Sequence, residues 1–353
     1  MAVAGLPVRN GGSSARKKID SLGFRMLISA PRRAMVQPLC ALASGSTDSA
    51  PPDRSACHAR YRVARFGLLR AVIAPSTVLK SDPENIPFAF AFAIPIATPG
   101  LKMICRDTYD HGKSHFDAPL ASRFEEMDAV VIFDNVFVPW ERIFLYGQPE
   151  LCNQAFGKTN AVVHMAHQVA CGKLAKAEFM TGLLCSILKA TGKDKDMALK
   201  GMVSEVMMMT ETVRALLYQA ENEAHEDEWG NYIPLRRPLD TSRNLFPKFY
   251  PRMVEILQLL GSSSLMATPT EADFENAMAD EVNQYFQVAN LDAKDRVALY
   301  RLAHDVAISG FGNRQALYER FFFGPPALMN AQYFDLYDRD RVMARVDDLL
   351  DLS

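Results

Sequence analysis

Apolar and polar positions change their rhythm once along this chain. Before about residue 150 the pattern has period two. Phe88 to Pro95 alternates large and small residues and predicts a strand with its phenylalanines on one face. Thr98-Pro99-Gly100 turns the chain, Leu101 to Cys105 reads as a second strand and Ala129 to Phe133 as a third. Between the last two lies a polar stretch, Asp107 to Arg123, longer than most connections; loops of that length are often lids or binding loops, and the bland alternative is a solvated surface loop.

Beyond Cys152 the spacing becomes helical. Ala161 to Thr191 has no proline and ends at Gly192. Met197 to Glu226 places Met202, Val206, Met209, Val213, Leu216 and Leu217 along one side, and Trp229-Gly230 and Pro234 then break the chain. Two further helices are expected over Asn244 to Leu260, beginning near Pro247 and Pro251 turns, and over Ala293 to Ser309. Four long helices without intervening strands predict a bundle, so the fold class is mainly α with a small β domain. The expected division is an N-terminal segment over 1–74, a small β domain over 75–150 and a helical domain over 151–353.

Charge sets the first segment apart. Residues 1–70 hold twelve Lys/Arg against three Asp/Glu although the whole chain balances at −2. Basic, Ser-rich and acid-poor composition fits a transit peptide, a disordered tail or a misassigned reading frame. The last two are favoured, because no amphipathic helix stands out between Met1 and Ser55. The near-neutral total argues against a nucleic-acid partner, and no apolar run reaches membrane-spanning length. Six scattered cysteines, Cys40, Cys57, Cys105, Cys152, Cys171 and Cys185, read as free thiols of a cytoplasmic protein.

Several constellations carry possible chemistry. In Ile308 to Pro326, Gly310 and Gly312 flank Phe311, Arg314 offers a fork of donors for a phosphate or carboxylate, and Gly324-Pro325-Pro326 stops a helix. This is either a ligand-binding turn or a helix junction whose glycines serve packing. Gln258 to Ser264, with Gly261 and Ser262, ends a helix in small and hydroxyl-bearing residues that suit a phosphate or an adenine edge, or simply stop the helix. His164, His167 and Cys171 share one helix face and have metal-ligand chemistry; a core-facing pair or a cofactor contact is the favoured reading, with no metal expected. Glu125, Glu126 and Asp128 read as solvated or as neutralising Arg123.

Three of these segments resemble the 4-hydroxyphenylacetate 3-monooxygenase family, the oxygenase components of two-component flavin hydroxylases. They are Ile308 to Pro326, Tyr250 to Gly261, and Ser122 to Asp128 followed by Phe133 to Arg142. The resemblance runs from about Pro75 to Leu352. It implies an acyl-CoA dehydrogenase-like fold, with a β-barrel or sheet middle domain and a C-terminal four-helix bundle. It also implies FAD, received reduced as FADH2 from a separate flavin reductase, and O2, used to hydroxylate a phenolic small molecule ortho to its hydroxyl. By resemblance Gln258, Gly261, Ser262, Phe311, Gly312, Asn313 and Arg314 lie beside the flavin. The loop Ser114, His115 and Phe116 faces the substrate, and the protein is a homo-oligomer, a tetramer by fold analogy. The Arg, Tyr and His with which family members hold the phenol find no match in residues 1–74, so no catalytic base is named and truncation or inactivity is an open alternative. His164-x6-Cys171 also resembles the cluster-ligand helix of 4-hydroxybutyryl-CoA dehydratases, an alternative lyase reading, but no C-x3-C accompanies it.

Overall fold

The structure, a computed structural model, describes residues 70–73 and 79–351. The basic segment before residue 70 lies outside the described residues. Order was expected to begin near Pro75; instead Arg70–Ile73 is already a strand, β1. The chain divides into two compact units. One is helical and comprises Lys113–Arg123 with Val162–Ser353; the other holds the strands up to Gly112 together with Phe124–Ala161. The stretch Lys113–Arg123 thus joins the helices rather than the β domain in which its sequence position lies.

In the strand unit, β2 (Phe90–Pro95) lies between β1 and β5 (Ile143–Tyr146), antiparallel to both. A separate hairpin pairs β3 (Leu101–Cys105) with β4 (Ala129–Phe133), Leu101 opposite Phe133. The two expected hairpin strands have the predicted bounds. The Phe88 strand starts two residues late, because Phe88 closes a 3-10 turn and is exposed. Phe92, Ile94, Phe133, Val136 and Val138 form the core of this unit, and Phe90 packs against it. Gly100 is obligatory here: φ is +84°, and a Cβ would sit 2.2 Å from the Asp134 carbonyl oxygen. Glu125 and Asp128 neutralise Arg106 rather than Arg123, since Arg106 reaches both from the end of β3.

Helices α1 (Ala121–Phe124) and α2 (Pro149–Lys158) are short. Then come α3 (Ala161–Thr191), as expected, and α4 (Met197–Asn222). The second ends four residues early, because Asp227 accepts hydrogen bonds from the amides of Trp229 and Asn231 and turns the chain into a small ladder, β6 (His225–Glu226) with β7 (Tyr232–Ile233). The largest correction is α5 (Arg236–Gly261), which runs straight through Pro247 and Pro251. An interior proline costs roughly 3 kcal/mol. Phe246, Met253, Ile256 and Leu257 on the same helix are each fully buried, and each contributes roughly 1.5–3 kcal/mol. Burial wins. The chain continues through α6 (Ala279–Tyr285), α7 (Ala293–Ala307), α8 (Gly310–Phe321), α9 (Pro326–Leu336) and α10 (Asp340–Leu350).

The bundle core joins Met180, Leu184 and Ile187 of α3 to Val203, Val206 and Val213 of α4, to the buried face of α5, and to Tyr300, Ala303 and Val306 of α7. The most deeply buried ion pair among the described residues lies in this unit. Lys173 of α3 and Glu319 of α8 meet at 2.7 Å, each side chain only 2% exposed. Lys176 bonds the second carboxylate oxygen of Glu319, and the Lys173 ammonium lies 4.4 Å above the Phe246 ring. Burial pushes the Glu319 carboxyl up, but the two ammonium groups together outweigh it and hold it below the ordinary range. Burial pulls Lys173 down, with Glu319 opposing.

Glu319→Gln strands a buried ammonium and should cost about 3–5 kcal/mol in urea unfolding at neutral pH. Because the folded-state carboxyl is depressed, its stabilisation is complete above the ordinary carboxylate pKa and lost as pH falls through the depressed value. The deficit of the variant should therefore shrink on acidification. A deficit independent of pH would contradict the pairing.

Candidate functional site

Three helix ends and one loop converge on the last turn of α7. A period-four row, Val297, Arg301 and Asp305, faces inward, and all three are buried. Asp305, 2% exposed, uses one carboxylate oxygen to accept the backbone amides of Leu120 (2.7 Å) and Ala121 (2.8 Å). It thereby caps the start of α1 and ties the polar loop to the bundle. Arg301 donates to the carbonyls of Thr268 and Pro269 and pairs with Asp117 at 3.7 Å. Asp117 in turn accepts the Glu271 amide, and Phe116 meets Phe274 edge-on. Beside them, hydrogen bonds from the backbone and hydroxyl of Thr270 hold the Asp273 carboxyl below its usual range and secure the turn.

Of the expected substrate-loop residues, Phe116 is half-buried and packed outside the loop, whereas Ser114 and His115 are exposed and bonded within the loop. Ser114 Oγ accepts the Asp117 amide, His115 Nδ1 lies 2.8 Å from Ser122 Oγ, and Phe116 is packed as described. Arg123 staples the same turn by donating to the carbonyls of Pro119 and His115.

The two candidate cofactor segments also meet at the end of α7. Gln258 donates its side-chain amide to the Ala307 carbonyl at 2.8 Å, joining the end of α5 to the end of α7. Gly261 lies against Leu265, and Ser262 after it takes φ 49°, ψ −146°, a left-handed backbone that a serine adopts only under constraint. Ser309 caps α8 by accepting the Gly312 amide. At Gly312 a Cβ would lie 2.1 Å from the Val306 carbonyl oxygen, so α8 can start here only on a glycine. Asn313 turns its amide back onto the carbonyls of Ile308 and Ser309. Phe311 and Arg314 are buried in the first turns of α8. The close approach foreseen at Gly312 is to protein backbone.

The histidine–cysteine face resolves differently from expectation. His164 is exposed, not core-facing. His167 Nε2 lies 2.8 Å from Glu221 of α4 and 3.9 Å from Cys171 Sγ. Desolvation, with Glu221 adding to it, pushes the Cys171 thiol up. Asp305, Arg301 and Asp117 were missed as site-building residues. The available signal was the inward-facing row on α7, where a cation and an anion share the face of Val297.

The sequence model "4-hydroxyphenylacetate 3-hydroxylase C terminal" matches residues 152–351, and its N-terminal counterpart matches residues 69–145. The chain is 47% identical over 270 residues to the 4-hydroxyphenylacetate 3-monooxygenase oxygenase component of Geobacillus sp. (strain PA-9), covering 76% of this chain and 55% of that relative. It is 45% identical to the Thermus thermophilus oxygenase component, over 78% of this chain and 57% of that one. The chain thus spans little more than half the length of these relatives. A crystal structure of the oxygenase component of 4-hydroxyphenylacetate 3-monooxygenase complexed with FAD and 4-hydroxyphenylacetate superposes with a TM-score of 0.76 at 44% identity. It covers 80% of this chain and 59% of that chain. An archaeal 4-hydroxybutyryl-CoA dehydratase, 17% identical, superposes at 0.72 over 80% of this chain and 57% of its own, which shows a shared fold. The fold is accordingly the one these oxygenase components and the dehydratase share, mainly α with a small β part.

Asp305→Ala should leave two buried amides without an acceptor and cost about 1–3 kcal/mol. Hydrogen exchange at the Leu120 and Ala121 amides should accelerate far more than exchange in α3. Unchanged protection at those two amides would show that the carboxylate does not hold the loop.

Proposed function

The chain belongs to the 4-hydroxyphenylacetate 3-hydroxylase family, and from that premise we propose that it is part of the oxygenase component of a two-component, FAD-dependent phenol hydroxylase. A separate reductase would supply the flavin as FADH2, and the substrate would be a phenolic small molecule hydroxylated ortho to its hydroxyl. The observation that carries this reading is the match to both family models over nearly all described residues, together with the convergence of α5, α7 and α8 at the end of α7.

The residues present suit a dinucleotide in their chemistry. The capped, positive end of α8 and the guanidinium of Arg314 favour phosphate oxygens. With its amide engaged by Ala307, Gln258 keeps its carbonyl oxygen as an acceptor for an adenine amino group. Gly261, Ser262, Gly312 and Asn313 shape the backbone around these two, and Phe311 is buried in the first turn of the same helix. When bound, reduced FAD would supply the electrons that activate O2. The protein's own task is to hold the phenol close and exclude water, and the segment Ser114, His115 and Phe116 is the part proposed to approach the substrate. Met343, Val346, Leu349 and Leu350 of α10 form an exposed apolar stripe, which supports a homo-oligomer, a tetramer by analogy of fold. Among the described residues no helix is long and apolar enough to cross a membrane. The proposed location is cytoplasmic, and the proposed division is 1–74, 75–150 and 151–353, with β1 added to the second segment and Lys113–Arg123 packed with the third.

Anaerobic titration with photoreduced FAD, followed by flavin fluorescence, tests the reading. The full chain should saturate, and Arg314→Gln should weaken binding about 10- to 100-fold, the loss of one charge-assisted contact. No uptake by the unmodified chain would overturn the proposal, and so would equal affinity in the variant.

A further inference from the structure

The face of α3 that the proposed flavin site leaves unused carries a second arrangement. His167 and Cys171 stand four residues apart on α3, hence one above the other on the same face. Glu221 reaches them from the last turn of α4. One ligand atom from each of the three lies within 4.8 Å of the others, and among the described residues no other group of three His, Cys, Asp or Glu converges in this way. We propose that His167, Cys171 and Glu221 form a binding site for a single tetrahedral divalent cation of zinc type, with solvent as the fourth ligand.

Three features argue for a cation rather than a plain ion pair. The donor set is mixed in the way zinc favours, one imidazole nitrogen, one sulfur and one carboxylate oxygen. A thiolate, a neutral imidazole and a carboxylate carry two negative charges, which one divalent ion cancels. The geometry is already close. Metal bonds of about 2.0–2.1 Å to N and O and about 2.3 Å to S, at tetrahedral angles, separate N from O by roughly 3.3 Å and N from S by roughly 3.6 Å. The observed N–O and N–S separations are 2.8 and 3.9 Å, each within about half an ångström of these values, and the sulfur and the carboxylate oxygen lie within 4.8 Å, so the Glu221 side chain has to swing toward the sulfur. Two ligands come from one rigid helix, and the third, half exposed, can swing without disturbing the core. The cysteine is itself exposed, so an ion can enter from solvent. Bound there, the ion would clamp the end of α4 to the middle of α3. It lies outside the residues proposed to hold flavin and does not depend on that proposal.

The test is cobalt(II) titration of the chelator-treated full chain. One equivalent should bring up a near-ultraviolet thiolate-to-cobalt charge-transfer band together with the intense visible bands of a tetrahedral site. Zinc should abolish both. Cys171→Ser should remove the charge-transfer band, and His167→Ala should remove the tetrahedral bands. Glu221→Gln should weaken cobalt binding about 10- to 100-fold. Both ligand variants on α3 change partly or fully exposed side chains, and circular dichroism confirms that they fold. A rise in Tm with zinc that is absent in Cys171→Ser is the independent readout. Absence of the charge-transfer band, or its persistence in Cys171→Ser through one of the other cysteines, would reduce the cluster to a His167–Glu221 ion pair and end the proposal.

Discussion

A single buried carboxylate connects the parts of the helical unit from which function is proposed. Asp305 is surrounded by protein, and its partners are backbone amides of a loop nearly two hundred residues earlier in the chain. Its own carbonyl accepts the Ser309 hydroxyl, and Ser309 caps α8. Two residues on from Asp305, the Ala307 carbonyl accepts Gln258 from α5. Loop, α5 and α8 are therefore referenced to the same three residues, Asp305 to Ala307. A displacement there would be felt in every segment proposed to touch flavin or phenol.

The Lys173–Glu319–Lys176 group holds α8 from its other end. Such a cluster is weak evidence for stability, since a well-packed apolar replacement can serve as well or better. Its effect is to penalise any register of α8 against α3 that leaves one of the charges alone. With Gly312 pressed on Val306 at the start of α8 and Glu319 held near its end, the helix is constrained at two points two turns apart. Arg314 lies between them along the helix.

The proposed chemistry asks for a positive site that accepts phosphates and a surface that keeps water from the reacting atoms. The first is assigned by the proposal to α8 and Arg314, within the helical unit. For the second, Lys113–Arg123 is a loop without water-like freedom, because Asp117, Phe116, Leu120 and Ala121 are all engaged by the bundle. A loop this well referenced suits positioning better than gating.

Much of the architecture was legible in residue pattern. The bounds of α3 and of the β3–β4 hairpin follow from periodicity and from Gly100 and Gly192, because regular elements of that length are dictated by neighbours a few residues apart. Local rules failed where distant burial outweighed them. Prolines 247 and 251 predict turns, yet α5 runs through them because its inward face is fully buried, and no window of sequence contains that partner surface. The close approach at Gly312 could be foreseen, but that its neighbour is Val306 could not. His167 and Cys171 are visible as a pair on one face; Glu221, fifty residues away, joins them only through the packing of α4 on α3. Asp305 likewise reads as one more charge in an amphipathic helix until the loop folds over it. Short-range order was written in the residues, whereas the assignment of each polar side chain to a partner required the chain to close on itself.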